Sequence, residues 1–308
     1  MANTCRSGVS HDAYSRLWFV FLVRARASIW PNNHNFMTAR DGSSAPREGG
    51  FLMSNGELFD LNGKVAVVTG GNGGLGRGIA LGLARAGAAI AVLGRNEAKN
   101  SAVLEELRGV GVPCMAVTID LTRRDELAPA LESVEGKLGV IDILVNNAGN
   151  VSLSGGIMNE SEADWDNVIA THLHATFLLS KLAAKGMLSR KKGKIINIGS
   201  MYSLFGSGLI PSYSAAKGAV IQLTKSMAIE FAAGNVQVNA ILPGWFETEM
   251  TAPVKTMPAI HDEILLRTPA GRWGQADELA GAAVFLASRA SDFVTGASLV
   301  VDGGYSIR

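Results

Sequence analysis

The sequence predicts an α/β fold in which helices cover both faces of a parallel sheet. Three observations predict it: strand and helix patterns alternate from Lys64 onward, the strands read as apolar runs, and a glycine-rich turn follows the first run. A strand that is buried on both faces appears as a continuous apolar stretch, and residues 65–68 form such a stretch. Strand–helix alternation implies right-handed crossovers and therefore a doubly wound sheet.

About seven strands and six helices follow from this pattern. The predicted strands are 65–68, 89–93, 114–119, 141–145, 194–198, 236–241 and 297–301. Helices are predicted after the glycine-rich turn, near 96–109, 124–138, 162–187, from about 212 to 232, and near 276–288, with an irregular stretch at 243–275. No repeat or linker divides residues 58–308, so we predict a single domain there. Its ligands are expected beyond the carboxyl ends of the strands, where the strand order reverses.

The composition favours a folded protein with a large core. The 308 residues are 47% hydrophobic and 18% charged, and 36 of them are glycine. A formal net charge of +1 argues against nucleic acid or a membrane surface as the main partner. Two cysteines, Cys5 and Cys114, indicate neither a disulfide framework nor a metal cluster. We expect a reduced, cytoplasmic setting and no metal.

The first part of the chain lacks periodicity. Residues 1–57 mix Trp, Pro, Asn, Ser and Gly, and Met53 lies just before the segment that leads into the first strand. The apolar run Leu17–Val23 is flanked by arginines and is shorter than a membrane span. We expect either that translation begins at Met53 or that residues 1–52 form a loose extension, with a targeting segment as the remaining alternative.

The stretch that carries chemistry is residues 212–217, preceded by Ser200. Tyr213 and Lys217 are four positions apart, so on a helix they share one face. A nearby cation favours the phenolate and so lowers the tyrosine pKa from about 10, and the Ser200 hydroxyl can then hold a substrate oxygen against the tyrosine. The pattern predicts proton transfer to or from an alcohol or carbonyl oxygen. The plain alternative is a solvated pair on a helix surface.

The glycine-rich turn predicts a dinucleotide pyrophosphate site. In the run from Gly70 through Asn72 to Gly74, Leu75 and Gly76, the first glycine allows the tight turn. The second lets the backbone approach phosphate, and the third lets the helix pack closely. The following helix N-terminus adds free N–H groups and the positive end of its dipole. A simple tight turn is the alternative.

The end of the second predicted strand favours NADP over NAD. An acidic residue at this place would bind the adenosine ribose hydroxyls of NAD, but the strand ends in Gly94, Arg95 and Asn96. Arg95 is suited to a charge-assisted bond with a 2′-phosphate. NAD stays open as the second cofactor, because Arg95 could also be an ordinary surface arginine.

Taken together, these motifs resemble the short-chain dehydrogenase/reductase family over residues 58–308. The matching residues are Thr69, Gly70, Gly74 and Gly76, then Asp120-Leu121, Asn146-Asn147-Ala148-Gly149, Ser200, Tyr213 and Lys217, and Pro243-Gly244 followed by Thr248. The resemblance implies a Rossmann-type domain and an NAD(P)-dependent oxidoreductase that interconverts a secondary alcohol and a ketone.

The resemblance also implies roles for individual residues. Asp120, with Leu121 beside it, would hold the adenine amino group. Ser200 would orient the substrate oxygen, and Tyr213 would exchange its proton. Lys217 would bind the nicotinamide ribose as well as lower the tyrosine pKa. The cofactor ribose would be lined by Asn147, Ala148 and Gly149, and its carboxamide would be contacted by Pro243, Gly244 and Thr248.

One position departs from the family pattern. Where the family usually has an asparagine that supports a water in the proton relay, this chain has His172. An imidazole can also hydrogen-bond water and a backbone carbonyl, so the relay is expected to persist with altered pH dependence. A structural histidine in a helix is the alternative.

Within the family, the stretches Thr268–Gly274 and Asp302–Gly304 are similar to dehydrogenases of gluconate and deoxygluconate. Those relatives tend to carry basic residues just after the Asn-Asn-Ala-Gly motif, whereas residues 150–156 here have none. A neutral polyol, a ketone or a cyclic alcohol therefore stays open as the small-molecule substrate. A partly apolar pocket is indicated by residues that could equally belong to the core or an interface: Leu204, Phe205, Leu209, Trp245, Phe246 and Met250.

Two other functions and one assembly complete the predictions. The enzymatic alternative is a 3-oxoacyl-thioester reductase, and the alternative from another class is a catalytically silent nucleotide-binding scaffold. The predicted helix 162–187 has apolar residues on more than one side, and such a stripe must be covered. We therefore expect a homotetramer or homodimer. The apolar residues are Leu173, Phe177, Leu178, Leu179 and Leu182.

Overall fold

The computed structural model describes residues 55–308. Most of the predicted extension 1–57, including Met53, Cys5 and the run Leu17–Val23, lies outside the described residues. The described chain opens with a short helix, α1 (Asn55–Leu58), which leads into the first strand.

Seven parallel strands form one sheet, as predicted. In chain order they are β1 (Val65–Thr69), β2 (Ala89–Gly94), β3 (Cys114–Thr118), β4 (Ile143–Asn146), β5 (Gly193–Ile198), β6 (Val236–Pro243) and β7 (Ser298–Val301). Their order across the sheet is β3-β2-β1-β4-β5-β6-β7, so the direction of winding reverses between β1 and β4. The predicted doubly wound α/β fold is confirmed.

Nine further helices connect the strands in the described part of the chain. They are α2 (Gly74–Arg85), α3 (Glu97–Val110), α4 (Leu127–Leu138), α5 (Glu162–Ile169), α6 (Ala175–Arg190), α7 (Pro211–Phe231), α8 (Ala252–Lys255), α9 (Pro258–Arg267) and α10 (Ala280–Ala287). Among residues 55–308, none of the helices combines the length and the apolar character needed to span a bilayer.

The core is divided by the sheet into two layers. Alternate residues of each strand point to opposite faces, so Val65 and Val67 belong to one layer while Ala66 and Val68 belong to the other. The first layer is packed with side chains of α4, α6 and α7, and the second with those of α2, α3 and α10. Both faces are therefore covered, which explains the continuous apolar runs in the strand sequences.

Two predicted stretches differ from the observed structure. The predicted helix 162–187 is divided by a π-helical turn, Ala170–His174, which separates α5 from α6. In this region the Thr171 hydroxyl donates to the Asn167 carbonyl oxygen at 2.8 Å, and the Thr176 hydroxyl donates to the His172 carbonyl oxygen at 2.7 Å. Such turns are frequent at functional sites. The stretch 243–275, predicted as irregular, contains α8 and α9.

Candidate active site

A cavity of about 350 Å³ opens at the carboxyl ends of the strands, where the winding reverses. This is the place that an open α/β sheet offers to a ligand, and the volume is typical of ligand pockets. Nearly all of the predicted site residues line it. Those in its wall are Gly70, Asn72, Gly74, Leu75, Gly76, Arg95, Asp120, Leu121, Asn147, Ala148, Gly149, His172, Ser200, Tyr213, Lys217, Pro243, Gly244 and Thr248.

The glycine-rich turn forms a close-packed cradle at one end of the cavity. Gly70 and Gly74 have positive φ angles of 62° and 48°, which favour glycine. A Cβ on Gly76 would lie 2.2 Å from the carbonyl oxygen of Gly70, so no side chain fits there. The N-cap of α2, Gly73, has no side-chain cap. The first N–H groups of α2 are thus free for an anion, as a pyrophosphate requires.

The end of β4 is fastened to the start of this cradle. The Thr69 hydroxyl oxygen accepts hydrogen bonds from the backbone N–H groups of Asn147 and Ala148, each at 2.9 Å. The Asn147 amide donates to the Thr69 carbonyl at 2.8 Å. These contacts join the carboxyl ends of β1 and β4 across the point of reversal, so the cavity floor is preorganised.

The cavity wall beyond β2 carries opposite charges. Arg95 Nη1 lies 3.9 Å from Asp120 Oδ2, and the Arg95 side chain is 65% exposed. The pKa of Asp120 is lowered, first by the Thr122 backbone N–H and only in a smaller part by Arg95. Asn96, predicted as a cofactor residue, is absent from the cavity wall. Its side chain instead caps α3 by accepting from Lys99 N at 2.9 Å.

The catalytic candidates meet at the start of α7. Tyr213 and Lys217 lie one turn apart on this helix, and Lys217 Nζ is 5.6 Å from the centroid of the Tyr213 ring. Lys217 donates a hydrogen bond of 2.6 Å to the Ile198 carbonyl at the end of β5. Ser200, two residues after β5, is buried and bonded to Tyr213. Ser200 and the Tyr213–Lys217 pair, from two separate stretches of sequence, therefore share one corner of the cavity.

Burial determines the pKa values in this corner. It raises the pKa of Tyr213, and the hydrogen bond with the Ser200 side chain offsets part of that rise. Burial also lowers the pKa of Lys217 to about 7. The sequence predicts that Lys217 lowers the tyrosine pKa, but in the structure burial raises it. Both groups are desolvated, and the Lys217 amino group is directed to the Ile198 carbonyl.

The segment after β6 closes the other side of the cavity. Pro243, Gly244 and Thr248, predicted as contacts of the carboxamide, line it, and a Cβ on Gly244 would lie 2.5 Å from Asp302 Cβ in the turn after β7. Of the apolar pocket candidates, Phe246 and Met250 line this cavity, while Leu204, Phe205, Leu209 and Trp245 are absent from its wall.

Behind this segment lies a group of three aromatic rings. The Trp245 and Trp273 ring centroids are 5.2 Å apart, and His261 of α9 stacks on Trp273 at 5.8 Å. The group fixes α9 against the segment that follows β6.

Three comparisons with known proteins agree with this geometry. A family model described as Enoyl-(Acyl carrier protein) reductase matches residues 70–306. Gluconate 5-dehydrogenase of Gluconobacter oxydans is 41% identical over 255 residues, which are 83% of this chain and 99% of that protein. The 5-keto-D-gluconate 5-reductase of Escherichia coli is 43% identical over 248 residues, 80% of this chain and 97% of its own. The chain belongs to the short-chain dehydrogenase/reductase family.

A solved structure of the same family supports the assignment. Gluconate 5-dehydrogenase from Burkholderia cenocepacia, in complex with NADP and tartrate, is 41% identical and has a TM-score of 0.79. The alignment covers 82% of this chain and 99% of that one. The present short-chain dehydrogenase/reductase is accordingly an NAD(P)-dependent oxidoreductase acting on a secondary alcohol or the corresponding ketone of a small molecule.

His172 occupies the place of the usual family asparagine within the π-helical turn. Its Nε2 lies 2.7 Å from the Asn150 carbonyl oxygen and 3.1 Å from the Asn150 backbone N. The ring is 97% buried and meets the Tyr213 ring edge to face at 5.2 Å. Burial, with a smaller contribution from Lys217, lowers its pKa to about 3. His172 is therefore neutral at any working pH, and Nδ1 has no protein partner among the described residues.

Lys99 and Glu249 line the cavity but were absent from the sequence prediction. They form an ion pair across it, although 150 positions separate them. In the sequence, the signal for this part of the site is a second basic residue, Lys99, four positions after Arg95. Arg77, the first basic residue after the glycine-rich turn, is paired with Glu106 and lies outside the cavity wall.

Proposed function

We propose that the protein is an NADP-dependent dehydrogenase that interconverts a secondary hydroxyl and a ketone on a sugar acid. The observation that carries this proposal is the convergence of Ser200, Tyr213 and Lys217 in the cavity that also holds the glycine cradle. The relatives named for gluconate and 5-keto-gluconate support the substrate class. The NADP in the complex of the Burkholderia enzyme supports the cofactor.

The cofactor would be held along the cavity by residues that fit its parts. The free N–H groups of α2 suit the pyrophosphate. Arg95 suits a 2′-phosphate, and Asp120 with Leu121 suits the adenine. Asn147, Ala148, Gly149 and Lys217 suit the riboses, and Pro243, Gly244 and Thr248 suit the carboxamide. A bound nicotinamide supplies or accepts the hydride, and the protein contributes position and the proton.

Proton transfer is assigned to Tyr213. In the reducing direction its hydroxyl would donate to the carbonyl oxygen of the substrate while Ser200 Oγ holds that oxygen in place. The raised pKa keeps the phenol protonated at neutral pH, which suits a proton donor. His172 lies beside the tyrosine ring and is too weakly basic to carry a proton itself, so we assign it to orienting the loop at Asn150.

A substrate carboxylate requires a positive group, and Arg267 is a candidate. The Arg267 guanidinium lies 4.9 Å from the Phe205 ring centroid and 4.3 Å from that of Tyr305. The row of rings continues from Phe205 through Tyr202 to Tyr213, with centroid distances of 5.5 and 6.3 Å. No ion pair engages Arg267 within residues 55–308. Arg267 is not part of the cavity wall and donates to Tyr305 Oη at 3.4 Å, but no carboxylate of residues 55–308 neutralises its charge.

Replacement of this arginine separates charge recognition from catalysis. We expect Arg267→Gln to raise KM for a sugar acid by about tenfold while KM for an uncharged polyol or ketone changes little. Arg267→Lys should restore part of the loss. An equal rise in KM for both substrates would show that Arg267 only supports the packing of the Phe205 and Tyr305 rings.

The experiment that tests the function begins with binding. Purified protein is titrated with NADPH and NADH by nicotinamide fluorescence, then assayed with gluconate, 5-keto-gluconate, a neutral polyol and a 3-oxoacyl thioester. Tight NADPH binding with turnover of the sugar acids, abolished by Tyr213→Phe, is expected. Turnover of the thioester alone would favour the alternative function, a 3-oxoacyl-thioester reductase. NADPH binding without any turnover would favour a silent scaffold.

The assembly, setting and extent of the domain belong to the same proposal. We propose a homotetramer or homodimer in the cytoplasm, with residues 58–308 as the catalytic domain. Residues 1–57 are proposed to be either an irregular N-terminal extension or a segment within which translation starts at Met53. Exposed apolar side chains support the assembly: Phe177 on α6 is 43% exposed and Ile229 on α7 is 82% exposed. N-terminal sequencing of the native protein tests the start.

A further inference from the structure

Two ion pairs in the cavity wall involve basic residues at or just after the end of β2. The first joins Arg95 and Asp120, whose charged atoms are 3.9 Å apart. The second joins Lys99, in the first turn of α3, to Glu249, in the segment after β6. All four residues line the cavity. The two cations that face an incoming phosphate therefore already have carboxylate partners.

The Lys99–Glu249 pair is well suited to exchange of partners. The side chains are 42% and 76% exposed, and exposed ion pairs contribute little to stability because water screens them. A phosphate dianion carries more charge than a carboxylate and offers three acceptor oxygens. Lys99 can thus leave Glu249 for a phosphate at small cost. Its position one helical turn beyond the Asn96 cap places it beside Arg95 at the end of β2.

We infer that Lys99 is a second determinant of NADP specificity, and that Glu249 tunes this specificity by competing with the 2′-phosphate for Lys99. The inference rests on the proposed NADP-dependent function and goes beyond it. NADH has hydroxyl groups at this place, so it leaves the ion pair intact. NADPH draws Lys99 away and releases Glu249, which frees the segment after β6 from its tie to α3.

The chain offers a matched control pair on the same segment. Lys255 donates to Glu247 at 2.6 Å, both side chains are 40% exposed, and neither residue lines the cavity. Glu247→Gln therefore removes another solvent-exposed ion pair of the same segment without touching the cavity. It reports what loss of a surface ion pair does by itself.

Direct binding of NADPH and NADH by fluorescence and calorimetry tests the inference without relying on turnover. We expect Lys99→Met to weaken NADPH binding by about tenfold and to leave NADH binding within about twofold. Glu249→Gln should strengthen NADPH binding by about threefold, again without effect on NADH. Glu247→Gln should change neither.

The double variant separates competition from simple repulsion. If Glu249 acts by competing for Lys99, Glu249→Gln should have no effect on NADPH affinity in the Lys99→Met background. An equal gain in both backgrounds would overturn the competition, and an unchanged NADPH to NADH ratio in Lys99→Met would overturn the role of Lys99. Failure of the unaltered protein to bind either nucleotide would instead count against the proposed function.

Discussion

Tyr213 and Lys217 share a dry corner of the cavity, and burial shifts the pKa of each group toward its uncharged form. The phenol is then a proton donor at neutral pH, whereas its service as a base requires the phenolate. The hydrogen bond from Ser200 favours the phenolate and works against burial. The two reaction directions should accordingly differ in their dependence on pH.

We predict that the two reaction directions have different pH profiles. kcat/KM for ketone reduction should stay level from neutral pH to about pH 9, while kcat/KM for alcohol oxidation should still be rising there. Ser200→Ala removes the bond that lowers the tyrosine pKa, so the rise in its residual oxidation activity should move to higher pH. Ser226→Ala, which alters an exposed serine of α7 bonded to Gln222, is the control. A shift to lower pH in Ser200→Ala would contradict the assignment.

His172→Asn provides a second prediction, with an effect on stability that can be calculated. The folded pKa of His172 is about 3 against an ordinary 6.5, so the unfolded chain binds the proton first and stability is lost as pH falls below 6.5. Asparagine does not titrate, so the variant does not lose stability for this reason as the pH falls. Its deficit in unfolding free energy relative to the parent should narrow by about 2 kcal/mol between pH 7.5 and 5.

The same variant should keep most of its activity at pH 7. Asparagine can also donate to the Asn150 carbonyl, as the N–H of the neutral imidazole does, and His172 is assigned no proton transfer of its own. Denaturant titrations at the two pH values and steady-state kinetics measure both effects. A loss of activity as deep as that of Tyr213→Phe would show that the imidazole itself is required.

The start of α7 is held from outside the helix. Its N-cap, Ile210, provides no side-chain cap, and Pro211 occupies the first turn. Glu160, just before α5, accepts a hydrogen bond of 3.1 Å from the Ser212 backbone N–H and another from the Ser212 hydroxyl. A carboxylate at a helix N-terminus also interacts favourably with the dipole. Glu160 therefore positions the turn that carries Tyr213.

We expect Glu160→Ala to lower the free energy of unfolding by about 1–2 kcal/mol. kcat should fall while the dissociation constant for NADPH stays unchanged, because the tyrosine moves and the glycine cradle does not. Thermal unfolding measures the change in stability, and nucleotide titration measures the dissociation constant. The control is Glu230→Ala, which replaces an exposed glutamate near the other end of α7. Lower stability with unaltered kcat would restrict Glu160 to a structural role.

The strands and most helices were predictable because their patterns are local. Apolar runs and the period of the helices identify β1 to β7 within a few residues. The π-helical turn was missed, since it depends on contacts of His172 with residues of another loop. The helices α8 and α9 lack a strong apolar period, although Pro253 and Pro258 lie in their first turns, a signal of helix starts.

At the scale of the molecule, motif residues were predictable and long-range partners were not. The glycine turn and the Tyr213–Lys217 pair carry their chemistry within a few positions of sequence. The role proposed for Lys99 depends on its ion pair with Glu249. The two residues are too far apart in the sequence for a local pattern to reveal this contact. The pKa of Tyr213 likewise depends on its burial in the folded protein, which the residues adjacent to it in the sequence do not reveal.

The outer surface supports a prediction about assembly. β7 is the last strand of the sheet, and its residues alternate between exposed and half-buried, unlike the buried neighbouring strand β6. An uncovered edge of this kind invites pairing. Sedimentation velocity at micromolar concentration should show a tetramer or dimer, and Phe177→Ser should shift it toward monomer. Phe59→Ser, a comparably exposed phenylalanine elsewhere, should not, and a monomer in the unaltered protein would contradict the assembly.

The Trp245–Trp273 pair gives this protein an internal optical reporter. Trp245 follows Gly244 of the cavity wall directly, and its partner ring is buried against His261. Two indoles at this separation share excitation, and their emission responds to small changes of angle or polarity around them. Movement of the segment after β6 can therefore be followed in unlabelled protein, by stopped-flow fluorescence on the millisecond timescale of segment closure.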